Sequence, residues 1–146
     1  MFPVRPVLIA LAALMALCCG PTAMAQPTLD TARGFGIWRN PKNSVHVEIK
    51  SCGGAACGYV VWANATARED ARRGGSETLI GLRVLRDFVP ETPDRWRGKV
   101  FAPDLGMTFS GTAEFLDTGT MRAKGCLVGR VLCKAQIWKR VETAAD

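Results

Sequence analysis

Apolar and polar residues alternate along most of the chain with a period of two. In residues 44–50, Val45, Val47 and Ile49 alternate with His46, Glu48 and Lys50, which predicts a strand with one buried face. His46, the single histidine, falls on the polar side and is expected to be exposed. Residues 58–63 form a short, β-branched apolar run. Residues 78–85 carry Ile80, Leu82 and Val84 on one face and Leu79 and Leu85 on the other. The pattern continues through 95–102 around Trp96, Val100 and Phe101. In residues 107–116, Met107, Phe109, Ala113 and Phe115 oppose Thr108, Ser110, Thr112 and Glu114. Segments 120–126 and 131–141 make a last pair, and 35–39 opens the series. Turn sequences divide them: Asn40-Pro41-Lys42-Asn43, Pro103-Asp104-Leu105-Gly106 and Asp117-Thr118-Gly119-Thr120. About eight short strands at this spacing predict an all-β sandwich or up-and-down barrel. Residues 65–73 lack an apolar stripe and predict a surface loop or a short exposed helix.

The first 25 residues break the pattern. Arg5 precedes an unbroken apolar run over residues 7–17, and Ala23-Met24-Ala25 supplies a small-x-small cleavage site before Gln26. The run is short for a bilayer span, so the segment is expected to be a signal peptide. Cys18 and Cys19 would leave with it. Residues 26–146 then form one exported domain, periplasmic or secreted, without a further transmembrane segment.

Four cysteines stay behind: Cys52, Cys57, Cys126 and Cys133. An even count in a small exported domain predicts disulfides. Each pair brackets a turn between strand-like runs, which favours Cys52–Cys57 and Cys126–Cys133. Cross-pairing between the two hairpins is the alternative. The spacing suits neither a zinc ribbon nor a thioredoxin-like redox site.

Chemistry is sparse. The 146 residues contain no nucleophile elbow, zincin motif or phosphate-binding glycine loop. No catalytic residue, metal site or cofactor is read from the chain, and His46 is not read as an acid–base group. The net charge of +6 points to an anionic partner. Arg95, Trp96, Arg97 and Lys99 interleave cations with an indole and are candidate anion contacts. Arg68, Arg72 and Arg73 add charge on a loop. Nucleic acid is not expected of an exported protein. An anionic envelope component is, or a partner protein such as an inhibited hydrolase.

Two features from opposite ends of the chain belong together. Gly36 and Trp38 open the first strand, and Arg140 closes the last. A guanidinium can stack on an indole while donating to nearby carbonyls. This arrangement looks like the barrel closure of the lipocalins. The strings G-I-W-R-N-P, V-E-I-K-S-C, C-G-Y-V-V-W, G-L-R-V-L, F-A-P-D-L-G-M-T-F-S and K-G-C-L-V-G-R-V-L-C-K-A-Q-I-W-K-R follow in order. Together they resemble a family of exported bacterial proteins known as a domain of unknown function. The resemblance implies a lipocalin-like β-barrel and carries no established activity. Such a barrel holds one small ligand or fills its interior with side chains. Val47, Ile49, Phe109 and Phe115 are the candidates to line a cavity for a small apolar or amphipathic ligand.

Overall fold

The computed structural model describes residues 31–144. The expected signal peptide, residues 1–25, lies outside the described residues. After a 3-10 turn at Thr31–Gly34 come β1 (Gly36–Arg39), β2 (Val45–Cys52), β3 (Ala55–Ala63) and α1 (Ala65–Arg73). Then follow β4 (Arg83–Thr92), β5 (Arg95–Ala102), β6 (Met107–Phe115), β7 (Thr120–Val128) and β8 (Val131–Val141). Each strand pairs antiparallel with the next, and β8 returns to β1, so the eight strands close a barrel. The architecture is the lipocalin-like one expected.

Up-and-down order sorts the connections into two ends. One end holds the 3-10 turn, the β4–β5 and β6–β7 turns and the end of β8. The other holds the β1–β2 loop, α1, the β5–β6 turn and the β7–β8 turn.

Of the surface loop or short exposed helix expected at residues 65–73, the structure has the helix, α1. Asn64 caps it by accepting the Ala67 amide at 2.9 Å, and of its residues only Ala71 is buried. Gly74 follows it so closely on the β5–β6 turn that an added Cβ would collide with the Pro103 carbonyl. The helix is thereby pinned across the open end.

Two expectations need correction. The fourth strand begins at Arg83, not at residue 78. Gly81 turns the chain at φ +84°, and its amide donates to the Val60 carbonyl at 2.7 Å, so residues 78–82 form a turn. Ile80 is exposed as a result, while Leu79 drops into the core. His46 is buried, at 3% exposure, although alternation points it outward. Its ring packs on Trp62, with centroids 4.7 Å apart, and Nε2 lies 2.7 Å from Asn43 Oδ1. Cross-strand pairing with Trp62 and Arg39 covers the outside of the sheet there.

Both disulfides pair within hairpins, as favoured. Cys52–Cys57 crosses the β2–β3 hairpin with Cα atoms 5.8 Å apart, and Cys126–Cys133 crosses β7–β8 at 4.0 Å.

Candidate functional site

The inward residues differ along the barrel axis. At the closed end, Trp38 is fully buried and its indole N–H donates to the Gly34 carbonyl at 2.9 Å. Trp96 and Phe115 meet edge to face at 5.4 Å, and Phe35 meets Trp96 the same way at 6.1 Å. The Arg140 guanidinium lies 4.4 Å from the Trp38 ring centroid. It donates to the carbonyls of Thr118, Phe35 and Arg33, tying β8 to the 3-10 turn and the β6–β7 turn. Gly36 sits at φ +123°, and a Cβ there would press on the same guanidinium. Gly36, Trp38 and Arg140 thus meet at this end of the barrel.

Above this plug the barrel encloses a cavity of about 1110 Å³. Trp38 forms its floor. Val47, Ile49, Val60, Val84, Phe88 and Phe109 line the wall, with Trp138 on β8. The middle layer is small: Ala113 and Ala123 face the cavity, and Gly125 leaves room for the Phe109 ring. Thr66, Ala67, Asp70 and Ala71 of α1 border the space, and so do Lys42, Pro103, Leu105, Leu127, Leu132, Lys134 and Gln136. The mouth therefore adds polar groups to an apolar interior. Among the described residues, the Trp138 indole N–H is the buried side-chain polar atom without a hydrogen-bond partner. Such a donor costs about 1–3 kcal/mol until something accepts from it.

Three of the four candidate lining residues, Val47, Ile49 and Phe109, border the cavity. Phe115 does not: it packs between Trp38 and Trp96 in the plug. Trp138 is not among the candidates, although the period of two from Arg140 places it inward, on the cavity. Leu79, assigned to a strand face by the alternation of residues 78–85, is carried into the core by the Gly81 turn instead.

The Arg95–Lys99 cluster divides. Trp96 is 3% exposed and belongs to the plug, so it is no contact for an external anion. Its neighbours alternate outward. Arg95 pairs with Glu114 at 3.5 Å, Arg97 with Glu91 at 3.1 Å, and Lys99 donates to the Ser110 hydroxyl at 3.2 Å. These carboxylates line an outer groove of about 780 Å³ together with Arg95, Arg97, Arg122, Lys124 and Arg130. On α1, Arg72 and Arg73 pair with Glu69 and Asp70 within the helix. No cluster of His, Cys, Asp or Glu among the described residues is arranged to hold a metal ion.

Burial, and secondarily the nearby Arg39 charge, lowers the His46 pKa below the usual histidine range. Asp117 is also lowered, first by the Gly119 amide it accepts at 2.7 Å and next by the Thr120 side chain.

Comparison with known proteins places this geometry. A family model described as an uncharacterized protein conserved in bacteria, DUF2147, matches residues 36–140. Among solved structures, protein HP1028 from the human pathogen Helicobacter pylori, described as belonging to the lipocalin family, is similar in fold. The TM-score is 0.57 at 15% identity, covering 73% of this chain and 82% of that one. No curated protein matches the sequence.

Proposed function

We propose a function on the premise that the chain belongs to the family of uncharacterized proteins conserved in bacteria, DUF2147. It is an exported binding module that captures a small apolar or amphipathic ligand inside the barrel. One observation carries this reading: the cavity of about 1110 Å³, walled by aliphatic and aromatic side chains and open at one end. Each methylene moved from water to such a wall contributes about 0.8 kcal/mol, so an alkyl chain supplies the affinity. Lys42, Lys134 and Gln136 at the mouth suit a polar or anionic head. The indole N–H of Trp138 would gain the acceptor it lacks. The lipocalin-like fold supports capture rather than turnover. Export rests on residues 1–25 and on the two disulfides, which belong to an oxidising compartment.

Native mass spectrometry of protein purified after export tests the reading. A reproducible extra mass, released on denaturation, is expected. Delipidated protein that takes up no fluorescent fatty acid would overturn it.

A second reading has its own observation. The outer groove gathers Arg95, Arg97, Arg122, Lys124 and Arg130 against Glu91 and Glu114. That surplus of positive charge suits an anionic envelope polymer. Ion pairs already engage Arg95, Arg97 and Arg122, which is why capture leads. Polymer binding that weakens steeply with salt and ignores a filled interior would reverse that order.

A further inference from the structure

The β7–β8 hairpin ends in a tip that breaks the rule for exported surfaces. Leu127, Val128, Val131 and Leu132 are 46%, 59%, 60% and 71% exposed. They are consecutive around Gly129-Arg130, and they stand beyond the ladders that join β7 to β6 and β8 to β1. Pairing of β7 with β6 reaches only to Cys126, and pairing of β8 with β1 only to Lys139. The Cys126–Cys133 disulfide closes the base of the tip and limits its collapse onto the barrel.

Its charge is one-sided. Lys124 and Lys134 flank its base, and the chain has no Asp or Glu from Thr118 to Val141. Arg130 lies at the apex between the apolar pairs. Across the mouth, the β5–β6 turn adds exposed Leu105 and Met107, with Asp104 beside them. Leu105, Leu127 and Leu132 also border the cavity, so the apolar rim is continuous with the apolar interior.

We propose that the β7–β8 tip docks the barrel mouth on an anionic lipid bilayer, inserting Val128, Val131 and Leu132 among the headgroups with Arg130 and the flanking lysines on the lipid phosphates. Charge selects this occupant. A second copy of the tip would bring like charges together. The projecting apolar surface, a few side chains wide, falls short of the roughly 800 Å² that each partner buries in a stable protein interface. Shallow insertion with basic flanks needs no such area. The docking stands without a ligand. Direct passage of an amphipathic molecule from bilayer to cavity rests on the capture reading above.

Vesicle co-sedimentation tests the docking, and uptake of a fluorescent fatty acid in vesicle-free solution tests capture separately. The probes are vesicles of pure phosphatidylcholine and vesicles containing phosphatidylglycerol. The expected result is binding to the anionic vesicles only, lost at high salt. Val128→Asp with Val131→Asp should lower it by tenfold or more, and Arg130→Glu by at least about fivefold. Neither Val128 nor Val131 borders the cavity, so fatty-acid uptake should stay unchanged in that double variant. Equal binding to both vesicle types, or undiminished binding by the variants, would overturn the proposal. A dimer of the wild type that the double variant abolishes would overturn it in favour of a second copy. Vesicle binding without fatty-acid uptake would leave docking in place and remove capture.

Discussion

At the closed end, β1, β5 and β6 send Trp38, Trp96 and Phe115 inward, and these rings interlock. One step up from Trp96 and its partner Ala113, β5 and β6 set Gly98 opposite Gly111, and the interior opens into the cavity. The backbone ladder continues across both levels. What differs is side-chain volume and the anchoring of loops. The plug is tied to its turns by Arg140, which reaches three backbone carbonyls. The mouth is bordered by a helix with one buried residue and by a hairpin with apolar side chains in water. Stability is therefore concentrated at one end and access at the other.

The largest test of this contrast is a pair of truncations. Trp96→Ala should cost about 3–5 kcal/mol in denaturant unfolding, because Phe35 and Phe115 surround the space it leaves. Leu79→Ala, also buried but bordering the cavity, should cost about 2 kcal/mol, near the lower bound for such changes. Equal costs would mean that the two ends are packed alike.

Arg140 comes next. Arg140→Ala should cost about 2–3 kcal/mol by leaving carbonyls without their charged donor. Arg140→Lys should recover only part, since an ammonium cannot stack on Trp38 and reach three acceptors in one plane. Full recovery would reduce the closure to simple charge.

Much of this division was legible in the sequence. Alternation located most of the strands, the cysteine brackets gave both disulfides, and Gly36, Trp38 and Arg140, read together from opposite ends of the chain, meet at one end of the barrel. Alternation says which residues point inward, but a filled barrel and a hollow one share it. Phe115 and Phe109 both point inward; only three-dimensional neighbours put one in the plug and the other on the cavity wall. His46 and Trp96 depart from expectation for different reasons: alternation with Arg95 and Arg97 sends Trp96 inward, whereas His46 is buried on the outer face. A period of two assigns a face, and burial on the outer face depends on cross-strand partners such as Trp62. The β7–β8 tip read as an ordinary hairpin because its exposure follows from ladders that stop short of it.

The disulfides mark the two ends separately. Cys52–Cys57 lies at the closed end and Cys126–Cys133 at the mouth. Each closes a short loop, worth about 2 kcal/mol by chain-entropy reasoning. Cys126→Ser with Cys133→Ser should also weaken vesicle binding, whereas Cys52→Ser with Cys57→Ser should lower the melting temperature and leave vesicle binding intact. Vesicle binding that is indifferent to both pairs would separate the tip's function from its staple.

The smallest expected effect is pH dependence, and it also divides by end. His46 lies beside the β1–β2 loop at the mouth. Its pKa is lowered in the fold, so between that value and the unfolded value of about 6.5 the unfolded chain binds more protons. The contribution is present above about pH 6.5 and is lost as pH falls through the folded value. Asp117 lies in the β6–β7 turn at the closed end, next to the Thr118 carbonyl that Arg140 holds. Its pKa is also lowered, so its contribution is present above the usual carboxylate range, near 3.9, and is lost only in stronger acid. Acid should therefore weaken the mouth before the plug. Melting temperature followed from pH 8 downward should begin to fall below about 6.5, and His46→Gln should flatten that first decline. Asp117→Asn should leave the first decline and alter the later one. Because His46 is the single histidine, its proton resonance reports its titration without ambiguity. A midpoint at or above the usual histidine value would show that burial beside Trp62 does not set its charge, and the early weakening of the mouth would have to come from elsewhere.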